Sequence, residues 1–244
     1  MSKIELKPYV TLKTLIMRSF DFFSVLILIA CTSNSRKLDS PNKYTFLALG
    51  DSYTIGESVS NHERWPMQLA DKLKEDSITL DPTIIAKTGW TTDELQSGII
   101  KSDVKGAYDL VSLLIGVNNQ YRGYDEDQYE KEFKLLLDKA IEFANGNPRH
   151  VFVLSIPDYG VTPFVEEKGM DKGKIAHELD SYNAIAQKIS TLRDIAFFNV
   201  TTLSREAEDN RDLVADDGLH PSGKMYKMWV DEIYQQVYVN LSSR

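Results

Sequence analysis

A serine hydroxyl is a weak nucleophile near neutral pH, and it attacks a carbonyl only when an adjacent base takes its proton. Two stretches of this 244-residue chain hold the parts for that chemistry. The first is Gly50-Asp51-Ser52-Tyr53-Thr54-Ile55-Gly56-Glu57, where flanking glycines let the backbone bend sharply around Ser52. The second is Asp217-Gly218-Leu219-His220-Pro221. Histidine is the usual base because its pKa lies near about 6.5. A carboxylate three residues earlier, across a glycine turn, can orient the imidazole and stabilise it once charged. Asp216 is adjacent, but the spacing to His220 favours Asp217. Taken singly, each stretch has a bland reading: a turn in the first case, a helix cap and a surface histidine in the second. Two more features shift the balance. Gly89 (in Lys87-Thr88-Gly89-Trp90) and Asn118 (in Gly116-Val117-Asn118-Asn119) offer a backbone N–H and a side-chain amide, the donors that a tetrahedral oxyanion needs.

These residues can cooperate only if the fold gathers them. Five short apolar runs, at 45–50, 82–86, 110–116, 150–156 and 195–200, read as strands, and most are continuous rather than alternating, as in strands buried on both faces. Between them lie amphipathic segments. Tyr129, Phe133, Leu136, Leu137 and Ala140 repeat at helical spacing; so do Leu69, Ala70 and Leu73 after a Trp65-Pro66 helix start. Two further stripes are Leu179, Tyr182, Ile185, Ala186 and Ile189, and Tyr226, Trp229, Val230, Ile233 and Val237. Strand–helix alternation predicts an α/β domain with a five-stranded parallel sheet between two helical layers, and such sheets place their sites at the carboxyl ends of the strands. Ser52, Gly89 and Asn118 each follow one of the first three runs.

The order Gly-Asp-Ser, Gly, Gly-x-Asn and Asp-x-x-His resembles the four sequence blocks of the SGNH hydrolases, also called GDSL esterases/lipases, over nearly the whole chain from Thr45 onward. The resemblance implies a flavodoxin-like three-layer α/β/α sandwich and an ester-hydrolysing activity that uses no metal or cofactor. It also implies roles: Ser52 as nucleophile, Asp217 and His220 completing a triad, and an oxyanion hole made by the N–H groups of Ser52 and Gly89 with the Asn118 side chain. The chain departs from the pattern twice. The first block reads Gly-Asp-Ser-Tyr. In the third, Asn119 stands where the family usually has aspartate, which puts that residue's support of the surrounding loop in question.

Tyr53, Trp90, Tyr121, Tyr124, Tyr159 and Phe164 fall on the expected mouth loops, and with Asn119 they supply the candidates for a substrate pocket, Tyr53, Trp90, Asn119, Tyr121 and Tyr159 foremost. The polar segment 203–216 is a candidate mobile gate. The other histidines, His62, His150 and His177, read as solvated or structural.

The first thirty residues look like an address. Lys3, Lys7, Lys13 and Arg18 precede the apolar run 22–30, which is too short to span a bilayer and reads as a secretory signal. It ends at Leu28-Ile29-Ala30-Cys31, which resembles the lipobox of bacterial lipoproteins. Residues 1–30 are thus expected to be a leader, with Met17 as an alternative start. Cys31, the chain's only cysteine, is expected to carry a lipid that anchors the protein at the cell envelope. Residues 31–43 have tether composition, and 44–244 form the hydrolase domain.

A net charge of −8 with no basic stripe makes nucleic acid a poor partner. A small-molecule, glycan or lipid ester fits better. Two other classes compete: an envelope-anchored binding protein that keeps the fold without catalysis, and a flavodoxin-like mononucleotide binder. Asp51 and Glu57 put negative charge into the first loop, which disfavours the phosphate that the last would need there.

Overall fold

The computed structural model describes residues 42–242, so the expected leader, Cys31 and most of the tether lie outside the described residues. The elements alternate as follows: β1 (Asn42–Gly50), α1 (Ser52–Ile55), α2 (Trp65–Glu75), β2 (Ile78–Ala86), α3 (Thr92–Ser102), β3 (Leu110–Leu114), α4 (Val117–Tyr121), α5 (Glu126–Phe143), β4 (Val151–Leu154), α6 (Pro163–Lys168), α7 (Lys172–Thr191), β5 (Ala196–Phe198), α8 (Thr201–Arg205) and α9 (Gly223–Ser242). All five strands are parallel, in the order β2-β1-β3-β4-β5. That order reverses between β1 and β3, and a crevice opens at their carboxyl ends.

Helices cover both faces. On one, α2 packs against α9; on the other, α5 lies between α3 and α7. Side chains alternate along β1, so Phe46 turns to the α2 face, where its ring meets Trp65 at 5.9 Å and Phe152 at 6.1 Å. Trp65, Trp229, Tyr129, Tyr226 and Phe133 are also buried. Each large apolar side chain so removed from water contributes about 1.5–3 kcal/mol before the entropy of ordering it.

All five expected strands form, with shifted ends. β2 starts four residues before the expected run and takes in Asp81 and Pro82, which pair with Thr45 and Phe46. It is an edge strand, where a proline and an exposed carboxylate are tolerated because one side of the backbone needs no partner. β3 stops at Leu114 because Gly116 (φ +131°) turns the chain into α4. The helices begin on their caps: the Asp125 side chain accepts from the N–H groups of Asp127 and Gln128 ahead of α5, and Asp171 caps α7 through Lys174 N.

Candidate active site

At the end of β1 the chain makes a tight turn that only glycine fits: a Cβ on Gly50 would lie 2.2 Å from Thr54 Oγ1 and 2.5 Å from the Leu114 carbonyl of the neighbouring strand. Asp51 caps the turn that follows, its Oδ1 accepting from Tyr53 N at 3.0 Å. Ser52 is thereby the first residue of α1, and its own N–H has no helical acceptor to serve. Gly56 closes this single turn with φ +70°.

Asp51 is fully buried, and its Oδ2 has no hydrogen-bond partner. Burial pushes its pKa from 3.8 up to about 7, against the pull of its backbone hydrogen bonds. The unfolded chain releases this proton near 3.8 and the folded chain holds it to about 7, so stability present at acidic pH is lost as pH rises through that window. The loss is on the order of 4 kcal/mol once pH exceeds both values. Asp51→Asn, which keeps the cap and cannot ionise, is expected to melt several degrees higher relative to the parent at pH 8 than it does at pH 5. Thermal melts at the two pH values measure this; a gap that does not change with pH would show that Asp51 is already ionised in the folded chain at pH 5, its pKa not raised by burial.

The C-terminal pair is built by a short hairpin. Ala215 N donates to the His220 carbonyl at 2.7 Å, and Val214 bridges Pro221, which closes the turn containing Gly218 (φ +71°). Within it, Asp217 Oδ1 accepts from the N–H groups of Leu219 and His220, both at 2.9 Å, and Oδ2 lies 2.5 Å from His220 Nδ1. Ser58 Oγ donates to the same Oδ2 at 2.7 Å. Burial alone would raise the Asp217 pKa; the His220 ring, the two backbone donors and Ser58 outweigh it and bring it to about 2. Asp217 is therefore ionised at neutral pH, and it fixes the proton on Nδ1 and leaves Nε2 as the basic nitrogen. Asp217, not Asp216, holds the ring. The His220 side chain is buried against the edge of Tyr53, their ring centres 5.9 Å apart.

Ser52, Asn118 and His220 line one cavity of about 210 Å³, walled by Tyr53, Val117, Tyr121, Tyr159, Phe164 and Leu219. Asn118 Nδ2 donates to the Trp90 carbonyl at 2.9 Å, which fixes the amide and leaves its second N–H for a ligand. Gly89 has φ +86°, a conformation that favours glycine, and its carbonyl accepts from the Arg122 guanidinium at 2.6 Å. A second depression of about 400 Å³ adjoins the cavity beyond Tyr121 and Tyr159, and Gln120, Lys174 and Glu178 line it. Among the described residues no cluster of His, Cys, Asp and Glu is arranged to hold a metal ion.

Three expectations need correction. The Trp90 ring turns away from the cavity onto α3, where a Cβ on Gly98 would lie 2.1 Å from it. Asn119 is fully buried and bonded to Thr92, so it supports the loop instead of lining the pocket. The polar segment 203–216 is folded and tied down, not a free flap. Arg205 binds Asp158 (2.9 Å) and Asp180 (2.8 Å), and Arg211 binds the Val161 carbonyl (3.0 Å) and Glu166 (2.6 Å). Ser58, Arg122 and Gln120, which accepts from Tyr159 Oη at 3.0 Å, join the site without any local sequence signal.

Residues 48–228 match the model of the GDSL-like lipase/acylhydrolase family. Solved structures share the fold. The psychrotrophic esterase EstA from Pseudoalteromonas is 17% identical with a TM-score of 0.61, covering 82% of this chain and 99% of its own. An acetylxylan esterase from Geobacillus stearothermophilus is 16% identical with a TM-score of 0.62, covering 81% of this chain and 96% of its own. A lipase/acylhydrolase from Enterococcus faecalis is 13% identical with a TM-score of 0.61, covering 80% and 95%. A search of curated protein sequences gives no significant match.

Proposed function

The chain belongs to the GDSL-like lipase/acylhydrolase family and is a hydrolase of ester bonds; from that premise we propose that it works through an acyl-serine intermediate on short acyl groups carried by a hydrophilic alcohol. The supporting observation is one cavity lined by Ser52, Asn118 and His220, with the Asp217 carboxylate on His220 Nδ1.

In this reading His220 Nε2 takes the Ser52 proton as Oγ bonds to the substrate carbonyl carbon. The carbonyl electron pair moves onto oxygen, and the N–H groups of Ser52, Gly89 and Asn118 receive it. Collapse expels the alcohol, which leaves with the proton held by His220. Water then attacks the acyl-serine by the same route and releases the acid. Asp217 stays ionised throughout and stabilises the imidazolium.

The substrate class follows from the cavity. At about 210 Å³ it is smaller than a typical pocket for a drug-sized ligand, and the rings of Tyr53, Tyr121, Tyr159 and Phe164 line it. An acetyl-sized acyl group fits such a space better than a long chain. The adjoining depression presents Gln120, Lys174 and Glu178, which suit a polyhydroxylated alcohol, so an acylated carbohydrate is favoured over a lipid. Asn119, the departure that favoured a non-catalytic binder, is fully bonded to Thr92 and leaves the loop supported.

The basic leader and lone Cys31 support export and a lipid anchor at the envelope surface. One experiment tests both halves of the reading. A fluorophosphonate probe on cells expressing the full chain is expected to label it in the membrane fraction. Ser52→Ala removes the label, and Cys31→Ser moves it to the soluble fraction. A chain that stays unlabelled overturns the activated serine; a label that stays membrane-bound in Cys31→Ser overturns the anchor.

A further inference from the structure

We propose that Glu132, on α5, is a positioning residue for the oxyanion site, acting through the Thr92 hydroxyl on Asn119, and that its carboxylate is the reason position 119 carries an amide. The inference deepens the acyl-serine reading and rests on it for the catalytic readout alone.

One donor in this cluster cannot be reassigned. Thr92 N is a backbone N–H and always donates; it lies 3.0 Å from the Asn119 side-chain oxygen. That bond settles the amide's orientation, so the Asn119 NH₂ group faces Thr92 Oγ1, at 2.6 Å. An NH₂ group only donates, so Thr92 Oγ1 accepts, and the hydroxyl proton must point elsewhere. It points to Glu132 Oε2, to which Thr92 Oγ1 is bonded. Gln128 Nε2 holds the other carboxylate oxygen at 2.9 Å. The proton order is therefore fixed along Asn119, Thr92 and Glu132. Asn119 and Thr92 are fully buried, so water cannot replace a lost partner cheaply.

Two of these residues neighbour the proposed oxyanion donors along the chain, and Glu132 is tied to them through Thr92. Asn119 follows Asn118, and Thr92 lies three residues after Gly89. Asn118 Nδ2 on the Trp90 carbonyl and Asn119 on Thr92 together stitch the loop after β2 to the start of α4. The spacing between the Gly89 N–H and the Asn118 amide depends on that stitch. A displacement of a few tenths of an ångström there weakens a bond that matters most in the transition state.

The proton order makes a test with a reversed sign possible. Asn119→Asp places a second carboxylate on Thr92 Oγ1, whose proton Glu132 already has. One buried carboxylate oxygen then faces a lone pair. Adding Glu132→Gln cures this: the introduced amide can present its NH₂ to Thr92 Oγ1, which frees the hydroxyl proton for the carboxylate introduced at position 119. Four full-length proteins are compared by kcat and KM on p-nitrophenyl acetate and by Tm. Asn119→Asp is expected to lower kcat about tenfold at nearly constant KM and to lower Tm by several degrees. Glu132→Gln alone lowers kcat only about threefold, since its carbonyl can still accept from Thr92. The double variant is expected to exceed Asn119→Asp in both kcat and Tm. A double variant no better than Asn119→Asp overturns the proposed proton order. Recovery of Tm without kcat overturns the positioning role. Because Tm needs no substrate, a failure of the acyl-serine reading would not be mistaken for a failure of this one.

Discussion

The expected result of replacing Ser52 with alanine is a fall in kcat on p-nitrophenyl acetate of roughly 10⁴- to 10⁶-fold, with His220→Ala close behind and the double variant no worse than either alone. The size follows from the way the parts depend on one another. Without Oγ no acyl-enzyme forms. Without the imidazole, Ser52 keeps its proton and His220 Nε2 is missing as donor to the leaving alcohol. Either loss removes the same pathway, so the two effects do not add. In the proposed mechanism, what remains comes from the oxyanion donors acting on a water molecule in the cavity. Asp217→Ala is expected to cost less, because the imidazole itself remains, but it loses the carboxylate that holds Nδ1 at 2.5 Å. Steady-state rates with Tm as a check on folding decide the matter. Ser52→Ala with undiminished turnover would mean that ester hydrolysis in this chain runs through another group, and additive losses would mean that Ser52 and His220 act in separate steps.

The groups that touch the cavity are easier to read from the sequence than those that hold them. Ser52, Asn118 and His220 line it, Asp217 holds His220 and Gly89 follows β2; each follows a strand or sits in a short turn, where chemistry restricts the residue type and spacing. The parallel sheet is legible for a similar reason: β3 and β4 are buried on both faces, so their sequences are almost continuously apolar. β2 is legible only in its second half, because an edge strand can carry Thr79 and Asp81 among its apolar residues. The supporting residues leave no such trace. Ser58 reaches Asp217 across 159 positions, Arg122 reaches Gly89 across 33, and Thr92 reaches Glu132 across 40. Each is an ordinary polar residue in an ordinary place until the fold brings its partner near. Trp90 shows the converse. An aromatic on a mouth loop can turn into the pocket or onto the neighbouring helix, and what decides is the absence of a side chain at Gly98, eight residues away on α3.

Asn118 carries the second large effect. Its amide is held from behind by the Trp90 carbonyl, so the remaining N–H is set before substrate arrives, and a preset donor costs no reorganisation when charge develops. A ground-state carbonyl draws little from that N–H, whereas a full oxyanion draws heavily. Asn118→Ala is therefore expected to lower kcat by about 10²–10³ with little change in KM. Asn118→Asp should be no better than alanine: it has no N–H to offer and sets a negative charge beside the developing one. Ser52 should still react with a fluorophosphonate in both variants, only more slowly, since His220 and Asp217 are untouched. A rise in KM at constant kcat would instead make Asn118 a ground-state contact and leave the oxyanion to the backbone N–H groups of Ser52 and Gly89. The two outcomes separate cleanly because, in the proposed mechanism, Asn118 stands apart from the proton path: it can change how the intermediate is held without changing how the serine is activated.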